Sequence, residues 1–166
     1  ANCGGCGFAG CSGMADSLVK NDIKVIFSGD ISKLPNETYI ACDAIRLKTS
    51  NCKSHVLNIC INYGAQDEIL MAVKKIASEV KNDNLTVEDI NKQVFESYLY
   101  TKDLPPVDLL IRTSNEHRIS NFMLWQISYA ELYFTKTHWP AFTKKTLEKA
   151  FIEYTSRDRR FGGINK

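Results

Sequence analysis

Two arginines six residues apart are the side chains of this chain whose type and spacing best suit the binding of an anion. Arg112 directly follows the largely apolar run 107–111, where a turn residue would usually be small. Arg118 comes two residues before Ser120, where a helix is predicted to begin. Two guanidinium groups beside the free N–H groups of a helix N-terminus would form a site suited to a pyrophosphate. The alternative is a surface ion pair with Glu116, which would contribute little.

Two further features are weaker candidates for binding a charged ligand. Glu131 lies between a predicted helix and a predicted strand, so it is either a solvated edge residue or a ligand of a hard cation. Mg²⁺ usually reaches a protein through one or two carboxylates and substrate phosphates, but the residues alone favour the solvated role. The basic tail 157–163, RDRRFGG, could fold closely around a phosphate, although charged tails are usually only solvated.

The six cysteines do not indicate a metal site. Three are expected to be buried free thiols in a reducing compartment, namely Cys42, Cys52 and Cys60. The other three lie in the glycine-rich segment 1–17, namely Cys3, Cys6 and Cys11. A zinc site would need four ligands, typically in paired Cys-x-x-Cys spacings, and here one such pair is followed by a lone cysteine. The spacing therefore favours an irregular N-terminal segment over a zinc site.

The composition is that of an ordinary soluble globular protein, with 44% hydrophobic and 24% charged residues. The formal net charge of +2 is too small for the strongly basic face that proteins binding nucleic acid usually present. No apolar run approaches the roughly 20 residues needed to span a bilayer. The N-terminus also lacks the basic start and apolar stretch of a signal peptide. We therefore expect a cytoplasmic protein that binds no nucleic acid.

Strands and helices alternate along the chain and would position these residues. Four apolar or β-branched runs are predicted strands, at residues 22–27, 56–61, 107–111 and 132–135. Five further segments are predicted helices, at residues 35–47, 66–81, 86–98, 120–129 and 143–155. The alternation predicts an α/β fold with a mainly parallel central sheet flanked by helices, in one domain at residues 18–166. Ligands of such sheets bind beyond the carboxyl ends of the strands, which is where Arg112 is expected.

Four segments of the sequence resemble, in order, one enzyme family. The longest is residues 108–142, DLLIRTSNEHRISNFMLWQISYAELYFTKTHWPAF. The others are residues 26–35, residues 56–69 (VLNICINYGAQDEI) and the ending 159–163 (RRFGG), which carries an Arg-x-Gly element. Over residues 21–163 the chain is similar to the C-terminal portion of cis-prenyltransferases of the undecaprenyl diphosphate synthase and dehydrodolichyl diphosphate synthase type.

The resemblance implies a transferase that condenses isopentenyl diphosphate with an allylic diphosphate of the farnesyl type. The product would be a long-chain polyprenyl diphosphate, and the reaction would use Mg²⁺, with Glu131 as the acid associated with the metal. The resemblance also implies a homodimer, and the lipid product could bring it to a membrane surface as a peripheral protein.

The resemblance assigns the diphosphate of isopentenyl diphosphate to residues near the end of the third strand. Arg112 and Arg118 would clamp this diphosphate, and Ser120 would add a hydrogen bond. Arg160 and Gly162 would close the site and reach into a neighbouring subunit. These roles agree with the anion site that the spacing of the two arginines indicates.

Some elements of the family are not found in this sequence. The Asp-Gly-Asn-Gly-Arg loop that holds the allylic diphosphate and the Ser-Thr-Glu-Asn-Trp element are missing, and Ala65, Gln66 and Asn115 replace a more usual Gly, Arg and Gly. We expect the C-terminal part of a longer enzyme whose N-terminal part is missing. The alternatives are an inactive truncated chain, an accessory subunit that binds one diphosphate, and an anion-binding module without catalysis. The intact RTSNEHRIS and Arg-x-Gly stretches argue against the accessory subunit.

Overall fold

The computed structural model describes residues 11–158 of the 166-residue chain, with the backbone alone for residues 11 and 12. These residues form two compact units. The first contains the described residues up to Tyr63 together with Leu70–Lys102. The second contains Gly64–Ile69 together with the described residues from Asp103 onward.

Helices and strands alternate through both units. In chain order the elements are α1 (Cys11–Lys20), β1 (Ile23–Ser28), a 3-10 helix (Ile31–Lys33), α2 (Asn36–Lys48), β2 (His55–Cys60), α3 (Ala65–Lys81), α4 (Lys92–Ser97), β3 (Leu109–Arg112), β4 (Glu131–Phe134), a second 3-10 helix (Trp139–Ala141) and α5 (Lys144–Ser156). Helix α3 begins in the second unit and continues in the first.

A pair of parallel strands, β1 and β2, forms the sheet of the first unit. Their register runs from Ile23 opposite His55 to Ser28 opposite Cys60. Beyond the strands, the Asp30 N–H donates to the Asn62 carbonyl at 3.2 Å and the Asn62 amide donates to the Asp30 carbonyl at 2.9 Å. Gly29 has a φ of +120°, and a Cβ atom there would lie 2.1 Å from the carbonyl oxygen of Ile61. Glycine is therefore required where the carboxyl ends of these strands are joined.

A buried threonine joins α2 to the free edge of β1. Helices α1 and α2 both pack against β1, and Val25 in this strand is fully buried. The Val25 N–H donates to the Thr49 hydroxyl at 3.0 Å, and that hydroxyl donates to the Ile45 carbonyl at 2.9 Å. Thr49 thus satisfies a backbone group that burial would otherwise leave without water.

A second parallel pair, β3 and β4, forms the sheet of the second unit. The register runs from Leu109 opposite Glu131 to Arg112 opposite Phe134. Helix α5 packs against β4, and its Ala150 is fully buried. Arg112 therefore stands at the carboxyl end of a parallel strand, as the sequence predicts.

The predicted α/β class with parallel strands is confirmed. Each predicted strand lies within two residues of an observed one, because β-branched apolar runs bounded by polar turns are a strong local signal. In residues 11–158, hydrogen bonds join the four strands as two parallel pairs. Residues 11–17, which the sequence analysis placed in an irregular segment, form the first part of α1. The rest of that segment lies outside the described residues.

The helix predicted at residues 86–98 is wrong over its first half. Thr86 does not cap a helix, because its N–H and its hydroxyl donate to the Asp89 carboxylate at 3.0 and 2.6 Å in a local turn. The N-cap is Asn91, whose side chain accepts from the Val94 N–H at 3.0 Å. Helix α4 therefore begins only at Lys92.

The helix predicted at residues 120–129 is absent, and this stretch forms consecutive turns. Ser120, Asn121 and Met123 have φ values of 49°, 59° and 49°. A right-handed helix cannot contain such left-handed residues, because their carbonyl groups no longer point along a common axis. The correction matters for the anion site, because a helix N-terminus was expected to support it.

Candidate functional site

Arg112 differs from the other arginines that the structure describes. The other three described arginines all form ion pairs, namely Arg46 with Asp43, Arg118 with Glu116, and Arg157 with Glu131 and Glu153. Arg112 is partly buried at the end of β3 and has no carboxylate partner in residues 11–158. A guanidinium that is removed from water is stabilised by an anionic partner. Arg112 is therefore available to an anionic ligand.

The segment that follows β3, residues 113–121, carries Arg118 and Ser120, and we call it the arginine loop. Its start is fastened to the residues after β4, because the Ser114 N–H donates to the Thr137 carbonyl at 3.0 Å and the Asn115 N–H donates to the Thr135 carbonyl at 2.9 Å. Asn115 has a φ of 58°. Asparagine tolerates this left-handed conformation, which explains why it can replace the glycine expected at this position.

Arg118 forms the ion pair with Glu116 that the sequence analysis gave as an alternative to an anion site. The Arg118 side chain is 65% exposed, and that of Glu116 is 37% exposed. Water and salt screen such a pair, so that it contributes little to stability. A doubly charged phosphate ligand could therefore replace Glu116 as the partner of Arg118.

Ser120 is exposed and lies in the turn, with a left-handed backbone. Because no helix begins here, the expected partial positive charge of a helix N-terminus is missing from the site. What remains at residues 112–120 is a set of side-chain donors, two guanidinium groups and a hydroxyl. Such donors can still bind a diphosphate through charge-assisted hydrogen bonds.

The end of the arginine loop is attached to the start of α3. The Ala65 N–H donates to the Asn121 carbonyl and the Gln66 N–H donates to Asn121 Oδ1, each at 2.9 Å. Gly64 precedes the helix and has no side chain to cap it. Sequence reasoning placed Asn121 only within the helix predicted at residues 120–129 and missed this contact. The one available signal was a long helix whose N-cap position holds a glycine.

Glu131 begins β4 and is held by Arg157. Arg157 Nη1 donates to Glu131 Oε2 at 2.8 Å and to the Leu132 carbonyl at 2.9 Å, and its other terminal nitrogen contacts Glu153. Hydrogen bonds to Glu131 first and Glu153 second raise the pKa of the Arg157 guanidinium. The Glu131 side chain is 25% exposed, so its carboxylate is neither freely solvated nor closed off.

The donor set around Glu131 fits Mg²⁺ only if a substrate supplies most of the ligands. No group of three or more acidic, histidine or cysteine side chains within the described part of the chain could hold a metal ion. The other carboxylate oxygen of Glu131 accepts no side-chain hydrogen bond from residues 13–158. One carboxylate oxygen together with phosphate oxygens is a usual way for a protein to bind Mg²⁺.

Comparison with known proteins identifies the family. The family model described as undecaprenyl diphosphate synthase matches residues 9–162. The chain belongs to this family of cis-prenyltransferases. The match contains β3, the arginine loop and β4, so Arg112, Arg118 and Ser120 lie inside the residues that match the undecaprenyl diphosphate synthase family.

Relatives of the undecaprenyl diphosphate synthase family agree with this match. An isoprenyl transferase of Prochlorococcus marinus is 47% identical over 145 residues, which cover 87% of this chain and 53% of that protein. A farnesyl-diphosphate-specific ditrans,polycis-undecaprenyl-diphosphate synthase of Lactiplantibacillus plantarum is 44% identical over 151 residues, covering 89% of this chain and 58% of that protein. The chain therefore spans somewhat more than half the length of these relatives.

A solved structure shows the same fold. Lavandulyl diphosphate synthase of Lavandula x intermedia, in complex with dimethylallyl diphosphate, superposes with a TM-score of 0.85 at 34% identity. The superposition covers 89% of this chain and 64% of that protein. The fold of the undecaprenyl diphosphate synthase family is thus confirmed for the described residues.

Several predictions on the site concern residues that the structure does not describe. Arg160 and Gly162, predicted to close the site, lie outside residues 11–158, as do Cys3 and Cys6. Only the backbone of Cys11 is described. Every helix in the described range is too short or too polar to span a bilayer.

Proposed function

We propose that this chain forms the isopentenyl-diphosphate-binding part of an enzyme for cis-prenyl chain elongation. The enzyme would condense isopentenyl diphosphate with an allylic diphosphate of the farnesyl type to give a long-chain polyprenyl diphosphate. Family membership supports the reaction type. The observation that carries the assignment to this chain is Arg112, the described arginine without a carboxylate partner, at the carboxyl end of β3.

The proposed binding mode uses three side chains of the β3 end and the arginine loop. Arg112 binds the diphosphate directly, and Arg118 exchanges its exposed partner Glu116 for the more highly charged ligand. The Ser120 hydroxyl donates a further hydrogen bond. The diphosphate is the inert end of isopentenyl diphosphate, so its binding energy serves to orient the reacting alkene.

The chemical step then depends on orientation and charge. The alkene carbon of the isopentenyl unit bonds to the allylic carbon as the allylic C–O bond breaks. Pyrophosphate leaves with the electron pair of that bond, and the isopentenyl unit loses a proton to form the new double bond. Fixed positive charge near the diphosphates stabilises the negative charge that develops on the leaving group.

We also propose that Glu131 contributes a carboxylate oxygen to Mg²⁺ that is bound mainly by substrate phosphates. When bound, the ion would offset the negative charge of the diphosphates. Arg157 holds Glu131 at the start of β4, and this contact would keep the carboxylate in place without a metal. The resemblance to the family supports this role, together with the Glu131 oxygen that accepts no side-chain hydrogen bond from residues 13–158.

The quaternary arrangement is a further part of the proposal. By resemblance, two copies would form a homodimer in which Arg160 and Gly162 of one subunit complete the site of the other. The long polyprenyl product would bring the enzyme to the membrane surface as a peripheral protein.

Binding and turnover measurements test the proposal. Calorimetry should show binding of isopentenyl diphosphate to the purified protein, and incubation with radiolabelled isopentenyl diphosphate, farnesyl diphosphate and Mg²⁺ should give polyprenyl product. Diphosphate binding without product would favour the accessory subunit or the truncated chain. A folded protein that binds neither substrate would refute the proposal.

A further inference from the structure

Helix α3 depends on a residue from the arginine loop for its first hydrogen bonds. The first N–H groups of a helix have no partner within it and are usually capped by the side chain of the preceding residue. Gly64 stands in that place and offers no side chain. Asn121 supplies two of the missing acceptors, its carbonyl to the Ala65 N–H and its Oδ1 to the Gln66 N–H, at 2.9 Å each.

The space around Gly64 shows how closely Asn121 approaches the helix. A Cβ atom added to Gly64 would lie 2.9 Å from Asn121 Nδ2 and 2.7 Å from Asp67 Oδ2. Both distances are too short for real contacts, so a side chain at position 64 would displace Asn121 or Asp67. The absence of a Cβ atom therefore leaves room for the ends of the Asn121 and Asp67 side chains beside Gly64.

Two buried residues in the first turn of α3 support this contact. Ala65 and Glu68 are each only 1% exposed. The Gln126 amide also donates to Glu68 Oε2 at 3.0 Å. Buried residues in the first turn move little, so an atom bonded to that turn is held in place.

The backbone of the arginine loop needs such support. Ser120 and Asn121 both have left-handed φ values, of 49° and 59°. Asparagine adopts this conformation readily, whereas serine does so at a cost. Strained residues of this kind persist only where the surroundings impose them. The two hydrogen bonds of Asn121 hold the residue directly after Ser120.

We propose that Asn121 is a positioning residue for the diphosphate site. It would not touch the substrate. By capping α3 it would hold Ser120, which precedes it, and Arg118, three residues earlier, in the arrangement that binds the diphosphate of isopentenyl diphosphate. This inference rests on the proposed function.

Substitutions at Asn121 test the role through isopentenyl diphosphate binding. Asn121→Gly keeps the left-handed conformation accessible but removes the side-chain acceptor, so we expect the dissociation constant to rise about tenfold or more. Asn121→Asp keeps both the acceptor oxygen and the tolerance for a left-handed φ. We expect it to bring the constant back to within about fivefold of the unaltered protein.

A matched control separates positioning from simple loss of a helix cap. Asn91 caps α4 with its side chain, as Asn121 caps α3, but it belongs to the first unit and is not part of the diphosphate site. Asn91→Gly should destabilise the protein to a similar degree in urea unfolding. It should change the dissociation constant less than about twofold, because loss of a cap costs only helix stability there.

Hydrogen exchange on the unaltered protein gives a second test that does not depend on the variants folding. Isopentenyl diphosphate should slow exchange of the Ala65 and Gln66 amides, which donate to Asn121, relative to the Val94 amide, which donates to Asn91.

Equal exchange of the Ala65 and Gln66 amides with and without ligand would overturn the inference. Unchanged binding in a folded Asn121→Gly variant, or binding by Asn121→Asp as weak as by Asn121→Gly, would also overturn it. If the unaltered folded protein did not bind isopentenyl diphosphate, the proposed function itself would be refuted, and this inference with it.

Discussion

Arg112 and Arg118 have the same side chain but different surroundings, and this difference bears on their proposed roles. Arg118 is largely exposed and already paired with Glu116. Arg112 is more buried and has no carboxylate partner between residues 11 and 158. A ligand that binds Arg112 has no carboxylate of residues 11–158 to displace, whereas one that binds Arg118 must displace Glu116. Arg112 is therefore expected to contribute more to the affinity for a diphosphate.

Substitution of either arginine should weaken isopentenyl diphosphate binding. Loss of a charge-assisted hydrogen bond costs about 1.5–3 kcal/mol, so Arg112→Ala and Arg118→Ala should each raise the dissociation constant about 10- to 150-fold, with the larger effect for Arg112. Calorimetry measures both constants. Arg46→Ala is the matched control, because it also removes an arginine from an exposed ion pair, with Asp43, but in the first unit. Wild-type affinity in both site variants would contradict the assignment.

Substitution of Glu131 should change the demand for Mg²⁺. Glu131→Gln keeps the shape of the side chain but removes its charge. The Mg²⁺ concentration that gives half-maximal turnover should therefore rise about tenfold or more. Glu153→Gln is a close control, because it removes the other carboxylate partner of Arg157 and leaves Glu131 intact. If both variants showed the same Mg²⁺ dependence, the ion pairs of Arg157 would account for the effect and Glu131 would have no role at the metal.

The residue types of the site could be predicted from the sequence, but their partners could not. Arginine after an apolar strand indicated an anion site, and a family resemblance gave Ser120 and Glu131 their expected roles there. Neither source could show that Arg157 holds Glu131, because these residues are 26 positions apart and meet only when α5 packs against β4. The same holds for Asn121 and Gln66, which are 55 positions apart.

At the scale of elements, predictions were good where local chemistry decides the structure. The strands were found from β-branched runs, and α3 from its regular apolar spacing. The helix predicted at 86–98 begins later because a side chain competes with helical hydrogen bonds there. The helix predicted at 120–129 is absent because residues with left-handed φ interrupt it. The Asp89 carboxylate accepts a hydrogen bond from the Thr86 hydroxyl in a turn, and residues with left-handed φ follow Arg118. Family membership cannot be read from periodicity, and it came from long matching motifs.

The junction between α2 and β1 gives a prediction on stability. Thr49→Val keeps the shape of the side chain but leaves the buried Val25 N–H without its acceptor, so the free energy of unfolding should fall by about 1–3 kcal/mol. Urea unfolding followed by circular dichroism measures this change. Thr155→Val is the control, because Thr155 is exposed on α5 and its hydroxyl only donates to Ile152. An equal change in both variants would mean that the buried contact of Thr49 adds nothing.

At the scale of the whole molecule, several turns depend on ionised aspartates. Asp22 has a φ of 53°, and the N–H groups of Lys53 and Ser54 donate to its two carboxylate oxygens at 2.9 Å each. The Ser54 hydroxyl, first, and these N–H groups lower the pKa of Asp22 below its usual 3.8. The pKa of Asp30 is lowered chiefly by the Ser32 hydroxyl and that of Asp89 chiefly by the Thr86 hydroxyl.

These shifts predict how stability depends on pH. A carboxyl group whose pKa is lower in the folded protein stabilises it fully above the unfolded pKa, and this stabilisation is lost as the pH falls through the folded pKa. The free energy of unfolding should therefore fall as the pH drops below about 4. Asp22→Asn should make this dependence shallower in urea unfolding between about pH 3 and 6. A variant with the unaltered slope would show that Asp22 has no part in it.

The cap of α3 by Asn121 also bears on the order in which the protein is made and folds. The first turn of α3 is capped by a residue 55 positions further along. Its hydrogen bonds to that residue cannot form when the helix itself leaves the ribosome. Contacts between distant parts of a chain form late, because a long loop must close before they contribute. We therefore expect the start of α3 and the arginine loop to become ordered together, as one late step of folding.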